Sequence, residues 1–400
     1  MGGRKPGLNV AYVTWQFPPY VTGGSGQYAA ELVPALQDAG CEITVFAPEG
    51  ASLDGVRTVA VSPEPAGLVA FWRRLPAVVG RFPSKHFDVI HGNDIWDLSL
   101  RREGRPAARV MGAHHVRQRK PPAALPDRLR WLLDVRGESG PLLPILDRHA
   151  ARRADRVIAD SEMTRVDLIR RCGVEPDRID VITQGMPAST PALDTEIQAF
   201  RGRFIPTATH LVASLGRLEE RKGVDTLLKA FARVVQVRPN IRLVIAGDGP
   251  QEPFRRLAEH LGIASSVTFL GLLSDGERDL LLDAADLFVA TPRLEGFGRT
   301  WLQAMTHGKA IVATRTGLAA DGAINDEHGA VVPIDDVETT ATAIARLLEN
   351  DDLRRSIGSR NRHWVEQTFR WDRAAVQVIE TYERALSRLR VRGALAEASG

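Results

Sequence analysis

The chain has 400 residues, too many for one compact core and enough for two domains of ordinary size. With 44% hydrophobic and 25% charged residues it has the balance of a folded globular protein, and a formal net charge of +3 makes no whole-chain case for nucleic acid. Two cysteines, Cys41 and Cys172, lie far apart without metal-ligand spacing, which argues against a disulfide framework and a zinc site. The opening MGGRKPGLNVAYVTW holds no apolar signal core, Pro6 removes a myristoylation signal, and no run nears the ~20 residues of a membrane span. The cytoplasm is the expected compartment.

Short apolar strands alternate with amphipathic helices, which predicts parallel α/β sheets. Leu8 to Val13 reads as a first strand. The loop Thr22-Gly23-Gly24-Ser25-Gly26 then opens a helix with Ala29, Leu32, Val33 and Leu36 on one face, ending near Gly40, and Glu42 to Ala47 is the second strand. The spacing is not G-x-G-x-x-G. The glycines admit a phosphate or sugar hydroxyls, or simply turn the chain, and both readings stand. Residues 66 to 86 set Phe71, Trp72, Leu75, Val78, Val79 and Phe82 beside Arg73, Arg74, Arg81 and Lys85. Such a segment suits an anionic membrane surface, but Pro76 and Pro83 interrupt it, and a packed helix with a basic edge is preferred.

Phe87 to Ile90 and Arg109 to Ala113 read as buried strands whose ends offer His91, Asn93, Asp94, His114 and His115. In open α/β sheets ligands gather beyond such strand ends. Between Arg101 and Arg156 fourteen Lys/Arg face six Asp/Glu, a cluster that includes Arg117, Arg119, Lys120, Arg128, Arg130, Arg136, Arg152 and Arg153. It either steers an anionic substrate or is a solvated face. Arg156 to Ala159 is another strand, with Ser161 capping a helix that stops near Gly173. The Pro-containing stretch from Ala188 to Ala192 reads as an interdomain linker.

The alternation then restarts. Leu211 to Leu215 runs into Gly216, Arg217 and Lys222, and a helix follows with Leu227, Leu228, Phe231 and Val234 on its apolar side. Ile241 to Ala246 ends in Gly247-Asp248-Gly249-Pro250, Val267 to Leu270 is closed by Gly271, and Leu287 to Ala290 leads into TPRLEGFGRTWLQAM. There a carboxylate, Glu295, precedes Gly296-Phe297-Gly298 and a helical run, whose free N–H groups suit a phosphate. If helical, the eight-residue step from Glu295 to Gln303 rises about 12 Å. Arg217 and Lys222, after a strand of the same sheet, stand where two cations hold a diphosphate.

Gly216-Arg217-Leu218 with Lys222-Gly223, then Ala246 to Pro250, Phe269-Leu270-Gly271, and Glu295 to Gly298 together resemble family 4 of the retaining glycosyltransferases. The order and spacing match over almost the whole chain, from Gly23-Gly24 to Phe369-Arg370-Trp371-Asp372. The resemblance implies a GT-B fold: two facing Rossmann-like domains with parallel sheets. Residues 1–187 form the acceptor domain and 188–370 the nucleotide-sugar donor domain, with a C-terminal helix, residues 371–400, crossing back to the first. It implies that Arg217 and Lys222 neutralise the donor diphosphate and that Glu295 meets the sugar hydroxyls. Gly216, Gly296, Phe297 and Gly298 offer backbone to sugar and phosphate, Gly24 closes over the phosphates, and Leu272 lies where relatives touch the base. His114 sits beside the reacting sugar, with His115 as its lesser alternative and Asn93 and Asp94 on the acceptor side. No cofactor or metal is implied beyond the nucleotide diphosphate-sugar itself, and no Asp-x-Asp pair appears.

The second glutamate of the family's E-x7-E motif is Gln303 here, which can accept a ribose hydroxyl bond but without a charge. A milder departure is Thr316-Gly317-Leu318, where relatives have two glycines, with Asp321 in place of their glutamate. The function expected is retaining, metal-independent sugar transfer to an acceptor nucleophile, a hydroxyl first, on a small-molecule, glycan or lipid-linked acceptor. A peripheral place at the inner face of the membrane is the variant that the basic segments allow. A nucleotide-sugar epimerase on the same fold and a non-catalytic sugar-nucleotide-binding partner protein are the alternatives. A nicotinamide oxidoreductase is disfavoured, because no full G-x-G-x-x-G with a following acidic residue appears.

Overall fold

The computed structural model describes residues 7–21, 23–63, 68–93, 100, 107–114, 116, 143–204 and 210–398. The chain forms two compact units, Met1–Gly185 with Arg370–Gly400, and Met186–Phe369. Each is built on one parallel sheet, because its central strands are apolar runs buried on both faces and the helices between them supply the crossovers.

In the first unit β1 (Asn9–Val13), β2 (Glu42–Ala47), β3 (Arg57–Ala60), β4 (Val89–Asn93), β5 (Ala108–Ala113), β6 (Arg156–Ala159) and β7 (Ile179–Val181) lie in the order β3-β2-β1-β4-β5-β6-β7. Helices α1 (Gly24–Asp38), α2 (Leu68–Val79), α3 (Leu143–Arg153) and α4 (Glu162–Asp167) belong to it. Ser161 caps α4 by accepting from the Thr164 N–H, as its sequence position suggests. The C-terminal helix, Trp371–Ala398, also packs here. Its Ala374, Ala375, Val378, Tyr382 and Ala385 form one stripe that joins the core beside Leu32, Val33 and Leu36 of α1. Burying a valine such as Val378 contributes about 1.5–3 kcal/mol. The Trp371 Nε1–H donates to Glu31 at 2.8 Å, and Arg384, Arg388 and Arg392 pair with Asp180, Glu175 and Asp155.

The second unit orders its strands β10-β9-β8-β11-β12-β13, from β8 (His210–Leu215), β9 (Ile241–Ala246), β10 (Val267–Gly271), β11 (Leu287–Ala290), β12 (Ile311–Thr314) and β13 (Gly329–Val332). Its helices are α5 (Asp194–Phe204), α6 (Val224–Val237), α7 (Glu252–His260), α8 (Asp275–Ala284), α9 (Arg299–Thr306), α10 (Gly317–Ala320), α11 (Val337–Glu349) and α12 (Asp351–Thr368).

Both orders reverse direction once, between β1 and β4 and between β8 and β11, and a doubly wound sheet opens its ligand crevice at such a point. The step from Glu295 to Gln303 is only half helical. Gly298 adopts a left-handed φ of +99° and α9 begins at Arg299, so Glu295 rides on a loop. Among the described residues no helix is long and apolar enough to cross a membrane.

Candidate active site

The loops leaving β8 and β11, the two strands at the switch point of the second unit, carry Arg217 and Lys222 on one side and Glu295 on the other. Their close approach depends on Gly223, whose φ of +64° and missing side chain let Thr291 come in. A Cβ there would stand 2.0 Å from the Thr291 carbonyl oxygen, and the Thr291 hydroxyl donates to the Gly223 carbonyl at 2.9 Å. With the loops so joined, the Lys222 ammonium donates to Glu295 Oε2 at 2.6 Å, and Arg221 Nη1 lies 4.0 Å from the same oxygen. Burial pushes the Glu295 carboxyl up, but Lys222, Arg221 and Arg217 outweigh it and hold the group below the usual carboxylate range. It stays an anion at neutral pH.

Arg217 is 38% exposed and stands 3.7 Å from Glu219. Ser214, Gly216, Arg217, Lys222, Glu295 and Thr300 line a shallow pocket open to solvent. At its edge Trp301, fully buried, tucks its ring under Gly298, where a Cβ would come within 2.2 Å of the ring. Phe297 points into the core against Phe369, and its carbonyl accepts from the Leu318 N–H at 3.1 Å, so its side chain faces no ligand. Gly296 is buried, Gln303 is half-buried on α9, and Leu272 is 75% exposed just after β10.

Two arginines that the sequence reading gave no role fasten this site. Arg221 Nη1 donates to the Leu294 carbonyl at 3.0 Å, one residue before Glu295. In return Arg293 sends its Nη1 to the Glu220 carbonyl at 2.5 Å, its Nη2 to Asp225 at 2.8 Å and its Nε to Asp335, while its backbone N–H donates to the Arg221 carbonyl. Asp335 takes a left-handed φ of +60°, unusual for a residue with a side chain. The bonds to Asp225 and Asp335 push the Arg293 guanidinium up, so the clasp is charged at every working pH. Their signal in the sequence was adjacency to Lys222 and Glu295.

In the first unit the ends of β4 and β5 bring Asn93 and His114 together. His114 Nε2 lies 2.6 Å from Asn93 Oδ1, and the Asn93 amide donates to the Ser25 carbonyl at 2.9 Å, next to the exposed Gly24. The edge of the His114 ring meets Tyr28 with centroids 4.7 Å apart. Asp160 and Gln184, which the sequence reading left out, close the other side of the ring. Asp94 and His115 lie outside the described residues, as do Arg117, Arg119, Lys120, Arg128, Arg130 and Arg136 of the basic cluster. Arg152, which is described, spends its Nε on the Cys172 carbonyl rather than on a ligand. His91 faces inward to the Tyr382 hydroxyl at 2.7 Å and is fully buried, a core histidine. Of the two departures around α10, Asp321 is exposed and its backbone N–H continues the helical turn to Gly317.

Residues 22–189 match the model described as Glycosyltransferase Family 4, and residues 196–364 match Glycosyl transferases group 1. Alpha-maltose-1-phosphate synthase of Mycolicibacterium smegmatis is 27% identical over 94% of this chain and 99% of its own length. D-inositol 3-phosphate glycosyltransferase of Salinispora tropica is 27% identical over 92% of this chain and 83% of its own. Among solved structures, sucrose-phosphate synthase from Thermosynechococcus elongatus superposes with a TM-score of 0.77 over 95% of this chain and 99% of that one, at 22% identity. Anabaena HepE, solved with UDP and glucose, gives 0.73 over 94% of this chain and 99% of its own, at 19% identity. The chain is a glycosyltransferase of the GT-B fold, made of a family-4-like N-terminal half and a group 1 C-terminal half.

Proposed function

We propose that the protein moves a sugar, with retention of configuration and without a metal ion, from a nucleoside diphosphate sugar to an acceptor hydroxyl. The observation that carries this reading is the cation group at the second unit's switch point. Arg217 and Lys222 stand with Glu295 at an open pocket in front of α9. Fixed cations there stabilise a diphosphate most as the glycosidic bond breaks and negative charge grows on the leaving group. The first N–H groups of α9 add the positive end of a helix. Glu295, kept ionised by Lys222, accepts hydrogen bonds from sugar hydroxyls.

Same-face attack, with the departing phosphate oxygen taking the acceptor proton, needs no side-chain base. In the first unit the role assigned to the His114 cluster is to bond hydroxyls of the sugar or acceptor. Several relatives are named for phosphate-bearing sugars or inositols. Together with the basic excess between Arg101 and Arg156, this makes a phosphorylated polyol the acceptor class that we favour. The first test is a thermal-shift screen of UDP, GDP, ADP and dTDP and their sugars, followed by NMR of the product's anomeric configuration. Failure of all four nucleotides to raise Tm would refute the donor site, and an inverted product would refute retention.

A further inference from the structure

Resting on the transfer reading above, we propose that Asp160 is the positioning residue of His114, holding the imidazole in place and favouring its charged form. The sheet places them together. In the β5–β6 pairing Ala113 faces Ala159, so His114 and Asp160 are the next residues out, side by side beyond the strand ends. Asp160 is 3% exposed, with Oδ2 3.5 Å from His114 Nδ1. Its other oxygen accepts from the Thr164 hydroxyl at 3.0 Å, which anchors the carboxylate to the first turn of α4.

The proton on the ring follows from the far side. Asn93 spends its amide N–H on Ser25, so its carbonyl oxygen faces His114 and the ring must donate from Nε2. That leaves Nδ1 as the site that gains or loses a proton. When Nδ1 is bare, the Gln184 amide serves it, standing 3.4 Å from Nδ1 and 3.3 Å from Asp160 Oδ2. When Nδ1 takes a proton from solvent, the carboxylate, 3.5 Å away, is the acceptor it faces, and a small approach of the two completes the second ring bond.

Among the described residues, Asp160 beyond the end of β6, His91 from β4 and Tyr28 from α1 are titratable groups beside the ring. Burial drives His91 down to about 3 and pushes the Tyr28 phenol up, so both are neutral at working pH. Of these three, Asp160 is the one that carries charge. The carboxylate and the amide therefore pull the equilibrium in opposite directions, and Asp160 makes the Nε2–H side a stronger donor to an oxygen.

The test is a pH titration of the full-length protein labelled with 15N-histidine, with His114→Gln identifying the resonances. The wild type is expected to show the Nε2–H tautomer above its midpoint. Asp160→Asn should move that midpoint to lower pH by about one unit, the scale of losing a neighbouring opposite charge. Gln184→Leu, which leaves the carboxylate in place, should move it to higher pH. If Asp160→Asn does not fold, Asp160→Ser serves as a second removal of the carboxylate and should give the same downward shift. With a donor that turns over, the pH limb of kcat should follow the Asp160→Asn midpoint, whereas a merely structural role lowers the rate equally at every pH. An unmoved midpoint, or an Nδ1–H tautomer in the wild type, overturns the proposal. The titration is read without substrate, so its failure is distinct from a failure of the transfer reading.

Discussion

Arg293 ties the loop that bears Glu295 to the segment that bears Lys222, and replacing it with methionine tests whether the site depends on that tie. The change removes charged hydrogen bonds to the Glu220 carbonyl and to Asp225 and the pair with Asp335, while keeping most of the side-chain volume. Asp225 and Asp335 are 29% and 51% exposed, so each ion pair contributes only about 0.2–1 kcal/mol. The bond to the Glu220 carbonyl is charge-assisted and adds about 1.5–3 kcal/mol. A total of about 2–5 kcal/mol lowers Tm by roughly 4–20 °C for a unit of this size. Structural loss alone would end there. Because Arg293 also ties the segment bearing Lys222 to the segment bearing Glu295, nucleoside diphosphate affinity by calorimetry should fall about tenfold, equivalent to ~1.4 kcal/mol. Arg293→Lys should recover part of it. A control, Arg355→Met, breaks an exposed pair with Asp352 and should change stability by less than about 0.5 kcal/mol. If Tm falls in Arg293→Met while the nucleotide Kd changes less than twofold, the clasp plays no part in registering the site, and the Thr291–Gly223 contact alone does so.

Lys222→Ala should abolish turnover, because it removes a diphosphate cation and leaves Glu295 without its closest counter-charge; near-normal rates would refute the donor-site assignment. Gln303→Glu should tighten nucleotide binding if the residue meets the ribose, and an unchanged Kd by calorimetry would place it elsewhere. His91 is neutral in the fold down to about 3 but protonates near 6.5 when unfolded, so the unfolded state binds the extra proton and stability falls as pH drops through that window. In His91→Gln, Tm should therefore decline less than in the wild type between pH 6.5 and 5, and parallel curves would contradict this account.

The sheets were legible where strands are continuous apolar runs, as at Glu42–Ala47 and Ile241–Ala246, because burial on both faces leaves a strong pattern. β3 gave no such signal: Arg57–Ala60 lies at a sheet edge with both ends exposed, and β13 is four residues beginning with a glycine. The turn of α9 was legible through Gly298, but the start of the helix was not. Helix periodicity runs smoothly back from Trp301 towards Glu295, and only the left-handed backbone at Gly298 stops it.

The site shows a sharper division. Lys222 and Glu295 were readable because each sits in the loop that leaves a strand, β8 or β11, and loops past the C-terminal ends of parallel strands face the ligand side whatever the rest of the fold does. Asp160 follows a strand in the same way, yet nothing near it in the sequence marks it as more than the residue before a helix cap. Its meaning comes from register. β6 lies beside β5 and pairs Ala159 with Ala113, and β4 lies on the other side and pairs Asn93 with Gly112. His114 is therefore flanked by an acceptor from each neighbouring strand end. A shift of one residue in either pairing would turn one of those side chains to the opposite face of the sheet and leave the histidine with a partner on one side only. The chemistry of His114 is thus set by two strand pairings, each between segments tens of residues apart. A reading that takes segments one at a time finds the histidine and misses what controls it.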